Sequence, residues 1–234
     1  MSSIIIKFML KDNIQNIKDS IIAIGFKLNQ KQVSIIGSGF AISNDGKILS
    51  AAHLYNRLEP EQIKNFVGMA MTRKDKSGLE YYSWLPLELV KKEDINDVAL
   101  FQMKNYNKTL LKSLKLGNSE KVQLGDDVYF IGFPYAANLI NDGFGITLVV
   151  NKTIISNIKQ DGIDPKHPRN WFIVDTISNP GNSGSPLLDL KTNKVIGIMT
   201  IAFRTKSQVQ PNLDIREPMH IAGARPINLA KKLK

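Results

Sequence analysis

The chain has 234 residues, of which 43% are hydrophobic and 22% are charged, a composition that excludes a disordered or fibrous protein. It contains no cysteine, which excludes disulfides, thiolate metal sites and a cysteine nucleophile. The net charge is +10, but the lysines are scattered and do not alternate with aromatic residues, so we interpret them as a solvated basic surface rather than a nucleic-acid-binding module.

Short strand patterns begin near residue 20 and fall into two groups. The first group predicts strands at residues 20–26, 33–36, 39–42, 47–51, 84–90 and 98–103. The turn sequence Ser-Asn-Asp-Gly at 43–46 tolerates positive φ and predicts a hairpin between residues 40–42 and 48–50.

A polar stretch at 104–120 predicts a connection between the two groups. The second group predicts strands at residues 127–133, 145–150, 153–158, 171–176, 186–190, 195–201 and 219–222. Helices are predicted only at the ends, at 13–20 and 226–233. This pattern predicts an all-β fold of two antiparallel barrels. We expect an N-terminal segment at 1–17, a first barrel at 18–108 and a second barrel with a C-terminal helix at 109–234.

Three short motifs together indicate nucleophilic catalysis. Ser183 lies between glycines in the loop 180–186, which alone could be an ordinary loop. His53 follows an apolar strand and is the best base among three histidines, the others being His167 and His220. Asp97 begins an apolar strand, where alone it would be a strand cap. The order His, Asp, Ser is that of a chymotrypsin-type triad, with Ser183 as nucleophile, His53 as base and Asp97 as orienting carboxylate.

These motifs resemble a known family. Residues 37–42, 50–53, 97–100, 124–126, 131–134 and 179–186 are similar to the protease domain of Deg-type (HtrA-like) enzymes within the trypsin-like serine proteases. The Gly-Asn-Ser-Gly-Ser-Pro sequence at 181–186 also resembles the bacterial glutamyl endopeptidases. Two departures are Gly184-Ser185 in place of the usual Gly-Gly, and the absence of a following peptide-binding PDZ domain in this sequence.

The resemblance implies two six-stranded antiparallel barrels with the active site in the cleft between them. It implies a serine endopeptidase acting on protein or peptide substrates, without cofactor or metal. It places the oxyanion hole at Gly181, Asn182 and Ser183, with the N–H groups of Gly181 and Ser183 as donors.

The resemblance also maps a specificity pocket from three segments, formed by Ile177, Ser178, Met199, Thr200, Ile201, Ala202 and His220. An apolar residue, Ile177, occupies the pocket base, so cleavage after Lys or Arg should be weak. We expect medium apolar residues there. Ser178 and His220 leave an acidic preference open, although Met199 replaces the histidine of glutamyl-specific relatives.

Two questions of function stay open in the sequence. A catalytically silent pseudoprotease, used as a protein-binding scaffold, is the alternative function. In trypsin-type activation, a newly cut N-terminal amine pairs with a carboxylate immediately before the nucleophilic serine and so orders the oxyanion loop. Asn182 occupies that position here and has no charge. The loop must therefore be ordered by neutral hydrogen bonds, by packing of the N-terminal segment or by an activating protein partner.

The location of the chain is predicted from what the sequence lacks. The absence of cysteine and of a secretion signal predicts a cytoplasmic protein, with a mature secreted form as the alternative. No apolar run is long enough to predict a membrane span.

Overall fold

The computed structural model describes residues 2–159, 170–206 and 216–233. Their strands form two closed six-stranded antiparallel barrels, which confirms the predicted fold class. The first barrel has the order β1-β2-β3-β6-β5-β4 and consists of β1 (Ile21–Lys27), β2 (Val33–Ala41), β3 (Lys47–Ser50), β4 (Phe66–Lys74), β5 (Glu80–Glu93) and β6 (Val98–Met103). The second has the order β10-β11-β12-β9-β8-β7 and consists of β7 (Asp127–Gly132), β8 (Val149–Lys159), β9 (Trp171–Val174), β10 (Pro186–Asp189), β11 (Val195–Lys206) and β12 (Arg216–Pro226).

Short helices lie at the chain ends and in loops beside the barrels. They are α1 (Ser2–Ile17), α2 (His53–Asn56), α3 (Pro60–Lys64), α4 (Ala136–Asn141) and α5 (Ile227–Ala230), with 3-10 turns at Lys18–Ser20, Ser119–Lys121 and Lys231–Leu233. Across the described ranges, no helix is both long enough and apolar enough to span a bilayer.

The core is divided by the alternation of side chains along each strand. Ile22 and Ile24 on β1 point into the first barrel, whereas Ile21 and Ala23 join a cluster between the two barrels. That shared cluster also contains Phe40 of β2, and it includes Leu49, Ile131 and Leu188, all fully buried. Because both barrels bury side chains against each other here, the cleft at their junction has fixed walls.

The N-terminal segment packs on the second barrel. Ile17 of α1 is 5% exposed and belongs to the shared cluster. Asn13 Nδ2 donates a 2.8 Å hydrogen bond to Leu190 O. Helix α1 begins at Ser2, well before the predicted start at residue 13. The sequence before residue 13 contains no capping box that would have indicated this earlier start.

Several strands differ from the predicted ones. β2 is continuous where two strands were expected, since the intervening residues keep their ladder pairing. β8 likewise joins residues 149–150 to the predicted 153–158, whereas residues 145–148 of the predicted strand 145–150 are not part of a strand. β4 was not predicted, because it is buried along both faces and lacks a clear period of two. The hairpin at 43–46 is confirmed by the pairing of Phe40 with Leu49. The polar stretch 104–120 does connect the barrels, and Leu114 N–H donates to Ala41 O at 2.8 Å.

Candidate active site

The structure brings His53 and Asp97 together. His53 is the first residue of α2 and follows two buried alanines, Ala51 and Ala52, which come directly after β3. Its Nδ1 lies 2.7 Å from Asp97 Oδ2, and its backbone N–H donates to Asp97 Oδ1, also at 2.7 Å. The carboxylate therefore contacts both the ring and the backbone of one residue, which fixes the orientation of the imidazole.

Asp97 occupies a constrained turn between β5 and β6. Its φ of 54° is left-handed, a conformation uncommon for residues other than glycine. Asp97 N–H donates to Asp94 O at 3.2 Å, and Ala52 N–H donates to Asp97 O at 3.3 Å. The backbone of the turn is thus bound to the segment that carries His53, and these contacts maintain the unfavourable dihedral that presents the carboxylate to the imidazole ring.

Ser183 lies in a loop that is bound on both sides. Ser38 N–H of β2 donates to Ser183 O at 2.8 Å, and Gly184 N–H donates to Met199 O of β11 at 2.7 Å. Gly184 has φ +85°, and a Cβ there would lie 2.0 Å from Ser38 O. Only glycine fits that position, so the glycine directly after the candidate nucleophile Ser183 is imposed by close backbone packing.

Ser183 is half-buried in the resulting cleft. Within the described residues, no hydrogen bond of normal geometry joins Ser183 Oγ to His53 Nε2. Hydrogen bonds between a catalytic serine and its base are often long in the absence of substrate and tighten when it binds.

The predicted oxyanion segment has two available amides. Asn182 N–H donates to Asn179 O at 3.0 Å, so that amide is already occupied. In the described part of the chain, the amides of Gly181 and Ser183 have no acceptor, as an anion-binding pair requires. Gly181 has φ +99°, and a Cβ there would lie 2.3 Å from Phe133 O.

Ser38 connects the first barrel to this segment. Its side chain is fully buried, and its Oγ donates to Gly181 O at 2.7 Å while accepting from Phe133 N–H at 2.9 Å. Its carbonyl accepts from Ser50 Oγ at 2.6 Å. The sequence motif at 37–39 contained Ser38, but its position gave no sign of this role.

A second backbone contact orients the peptide before Gly181. Tyr135 N–H donates to Pro180 O at 2.8 Å, and Tyr135 itself has a left-handed φ of 49°. Because this carbonyl is bound on one side, the N–H of the same peptide, that of Gly181, is directed to the other. The segment after β7 therefore helps to set the direction of the candidate oxyanion donor.

The side chain of Asn182 is buried completely. Its amide atoms and Ser185 Oγ have no hydrogen-bond partner among the described residues. Buried neutral groups of this kind are commonly satisfied by internal water. Asn182 thus provides no charge beneath the oxyanion loop.

The residues mapped to the specificity pocket lie in neighbouring segments. Ile177 is half-buried and Ser178 is 7% exposed in the loop before the nucleophile. Met199 is fully buried in the cluster of the second barrel and presents no exposed surface, whereas Ile201 is 37% exposed. On β12, His220 is exposed and lies two residues before Ala222, the pairing partner of Ala202. His167 lies outside the described residues.

Arg225 is a site residue that sequence reasoning missed. It is 7% exposed on β12, with its guanidinium 3.6 Å from the centre of the Trp171 ring. It donates to Asn170 O at 3.1 Å and to Ile95 O, in the turn before Asp97, at 3.3 Å. Burial lowers the pKa of Arg225, and the charges of Asp97 and Glu93 oppose that shift. A cation of the second barrel thus supports the turn that carries Asp97.

A cavity of about 250 Å³ opens beside the candidate oxyanion hole. Ile35 and Ile36 of β2 line one wall, and Tyr135, Pro180 and Gly181 line the other. It lies on the β2 side of the nucleophile loop, whereas the segment Met199–Ala202 lies on the β11 side. We call it the Gly181 cavity.

Comparisons with known proteins agree with this arrangement. The model of the trypsin-like peptidase domain matches residues 37–198, more than half of the chain. The chain belongs to the trypsin-like peptidase family. The match contains His53, Asp97 and Ser183, and the prediction of a trypsin-like serine protease domain is confirmed at the level of the family.

Individual relatives narrow the likeness to the Deg type. A probable periplasmic serine endoprotease, DegP-like, of Pseudomonas putida is 30% identical over 209 residues, which is 88% of this chain and 36% of the relative. The magnetosome formation protease MamE of Paramagnetospirillum magneticum is 31% identical over 174 residues, 74% of this chain and 21% of the relative. The chain thus spans about a third or less of the length of these relatives.

The same comparisons correct the expected location. The prediction of a cytoplasmic protein is wrong, since the DegP-like relatives are named periplasmic endoproteases. The absence of cysteine was a poor guide to location, because two packed barrels can be stable without disulfides in the periplasm as well as in the cytoplasm. The likeness of residues 181–186 to glutamyl endopeptidases stays a prediction.

Proposed function

We propose that this domain is a serine endopeptidase in which Ser183, His53 and Asp97 form the catalytic triad. The observation that carries the proposal is the double contact of Asp97 with the ring and backbone of His53. That contact leaves the second ring nitrogen of His53 free to act on a hydroxyl.

The proposed reaction has two stages, acylation of Ser183 and hydrolysis of the acyl-enzyme. His53 Nε2 takes the proton of Ser183 Oγ as that oxygen attacks the peptide carbonyl, and the amides of Gly181 and Ser183 bind the developing oxyanion. The protonated imidazole then gives its proton to the leaving amine, and the acyl-enzyme forms. Water deprotonated by His53 hydrolyses this ester, which releases the acid and restores Ser183.

The cleft offers separate places for the two halves of a substrate. The acyl side would follow β11. The proposed specificity pocket consists of Ile177 and Ser178 in the loop before Ser183, Thr200, Ile201 and Ala202 on β11, and His220 on β12, without Met199, whose side chain is buried in the core of the second barrel. The leaving amine would then lie toward β2, in the Gly181 cavity. A protein or peptide is the substrate class that uses both sides of such a cleft.

The oxyanion loop is proposed to be ordered by neutral contacts. Ser38 Oγ and Tyr135 N–H donate to the carbonyls of Gly181 and Pro180, and the buried side chain of Asn182 is a neutral amide. This arrangement favours neutral hydrogen bonds over an activating partner. We also propose a location outside the cytoplasm, as the names of the relatives suggest.

The proposal is tested by replacing the nucleophile. Purified Ser183→Ala should lose on the order of 10³- to 10⁶-fold in peptide turnover, as triad knockouts do. Ser185→Ala, two residues later, is the matched control and should keep the turnover of the parent within a few-fold. Equal turnover of Ser183→Ala and the parent chain would reject the triad.

The alternative is a pseudoprotease that binds proteins without cleaving them. The observation that it would also explain is that, among the described residues, no hydrogen bond of normal geometry joins Ser183 Oγ to His53 Nε2. A parent chain that binds denatured casein but releases no peptides, while remaining folded, would support this alternative.

A further inference from the structure

A second apolar groove lies beyond the Gly181 cavity. It has a volume of about 350 Å³ and is bordered by both barrels. Its apolar lining comprises Leu28, Val33, Ile35 and Trp84 from the first barrel and Ile140 and Ile146 from the second. We call it the distal groove.

The distal groove collects apolar side chains that are exposed to solvent. Leu28 is 62% exposed, Ile140 41% and Ile146 38%. Phe144, on the same segment as Ile140 and Ile146, is 72% exposed. Such side chains are common singly, but a concentration of them around a concave surface marks a binding site.

The groove is continuous with the proposed active site. Ile35 lines both the distal groove and the Gly181 cavity, and Gly181 itself borders that cavity. A polypeptide advances about 3.3 Å per residue when extended, so a few residues beyond the scissile bond are enough to pass from one to the other. The direction of this path is that of the leaving segment, because the acyl side is assigned to β11.

We propose that the distal groove binds apolar side chains of the substrate several residues beyond the scissile bond, on the leaving side. This inference rests on the proposed peptidase function. A continuous path to the nucleophile favours substrate as the occupant over a second copy of this chain. Lys31 and Gln32 at its border supply polar groups for the substrate backbone.

The test uses two peptides and one small amide with the same acyl segment. One quenched peptide carries Leu and Phe at the third to fifth leaving-side residues, and the other carries Gly and Ser there. The small amide releases aminomethylcoumarin and has no leaving-side residues. The groove variant is Ile140→Ser/Ile146→Ser, and the control is Leu124→Ser/Ile154→Ser, whose residues are 64% and 44% exposed outside the groove.

The groove variant should lose about tenfold in kcat/KM on the apolar peptide, as expected when apolar contacts of a pocket are removed. It should keep parental values on the Gly/Ser peptide and the coumarin amide. The control variant should match the parent on all three. Equal kcat/KM of parent and groove variant on the apolar peptide would overturn the inference while leaving the peptidase function intact.

A binding measurement separates the inference from the proposed function. In the Ser183→Ala background, the fluorescein-labelled apolar peptide should bind about tenfold more tightly than the Gly/Ser peptide, and the groove substitutions should remove that difference. This result would support the groove even if the parent cleaved nothing. Light scattering that shows a parental dimer lost in the groove variant would instead identify a second copy as the occupant and overturn the inference.

Discussion

Ser38 Oγ donates a 2.7 Å hydrogen bond to Gly181 O, although the two residues are 143 positions apart. The bond joins β2 of the first barrel to the candidate oxyanion segment of the second. Ser38 Oγ also accepts from Phe133 N–H, so one buried hydroxyl fixes two backbone segments. The role that we propose for Ser38 is that of a positioning residue, because its hydroxyl contacts the candidate oxyanion segment through Gly181 O.

Replacing this hydroxyl should misalign the oxyanion donor. We expect Ser38→Ala to lose roughly 10- to 100-fold in kcat with little change in KM, a smaller loss than removal of an oxyanion donor itself. Stability should fall by about 1–3 kcal/mol, since Gly181 O and Phe133 N–H lose a buried partner.

The readout that separates positioning from stability is affinity for a peptide aldehyde, which forms a tetrahedral adduct. That affinity should fall in parallel with kcat. Ser34→Ala, on the same strand, is the control and should leave both values unchanged. Parental aldehyde affinity in Ser38→Ala would show that the hydroxyl has no part in aligning Gly181.

The contact between His53 and Asp97 predicts the effect of an isosteric change. In Asp97→Asn the amide can accept from His53 N–H but can no longer accept from both His53 donors. The imidazole should adopt the wrong tautomer, and kcat should fall on the order of 10³- to 10⁴-fold. Asp94→Asn, in the same turn, is the control. Steady-state kinetics within tenfold of the parent would show that Asp97 does not orient the base.

The residues of the proposed triad could be selected from sequence, whereas the residues that hold them in place could not. His53, Asp97 and Ser183 each lie in a short motif whose residue types are dictated by local geometry, such as the glycine at 184. Ser38 contacts Gly181 and Arg225 contacts Ile95, and in each pair the two residues are far apart in the sequence. A serine or an arginine at such a position carries no pattern in a single sequence that would indicate its partner. β4 was missed for a similar reason, because burial of both faces removes the alternation that identifies a strand.

Arg225 gives a prediction for stability. Arg225→Met keeps the apolar stem but removes donors to Asn170 O and Ile95 O and the contact with the Trp171 ring. The free energy of unfolding should fall by about 2 kcal/mol, because two acceptors lose charged donors. Urea denaturation measures this, and exposed Arg204→Met is the matched control. Identical urea midpoints for Arg225→Met and the parent would rule out the supporting role.

The proposed specificity pocket is tested by adding a charge. The parent should cleave after Leu, Val or Met and only weakly after Lys or Arg, because an apolar residue at 177 cannot pair with a buried cation. Ile177→Asp should raise the ratio of Lys to Leu cleavage at least about tenfold, as measured with paired peptides differing only at that residue. A parental profile dominated by Lys and Arg would mean that Ile177 is not at the pocket base.

The central claim is that Ser183 is a nucleophile activated by His53. The most direct measurement is reaction of the purified chain with a fluorophosphonate probe, followed by mass spectrometry of the modified peptide. We expect one phosphonyl group per chain, carried by Ser183. Labelling should be lost in His53→Ala, whereas Ser185→Ala should be labelled like the parent. A folded parent chain that remains unlabelled, or that carries the probe on a residue other than Ser183, would contradict it.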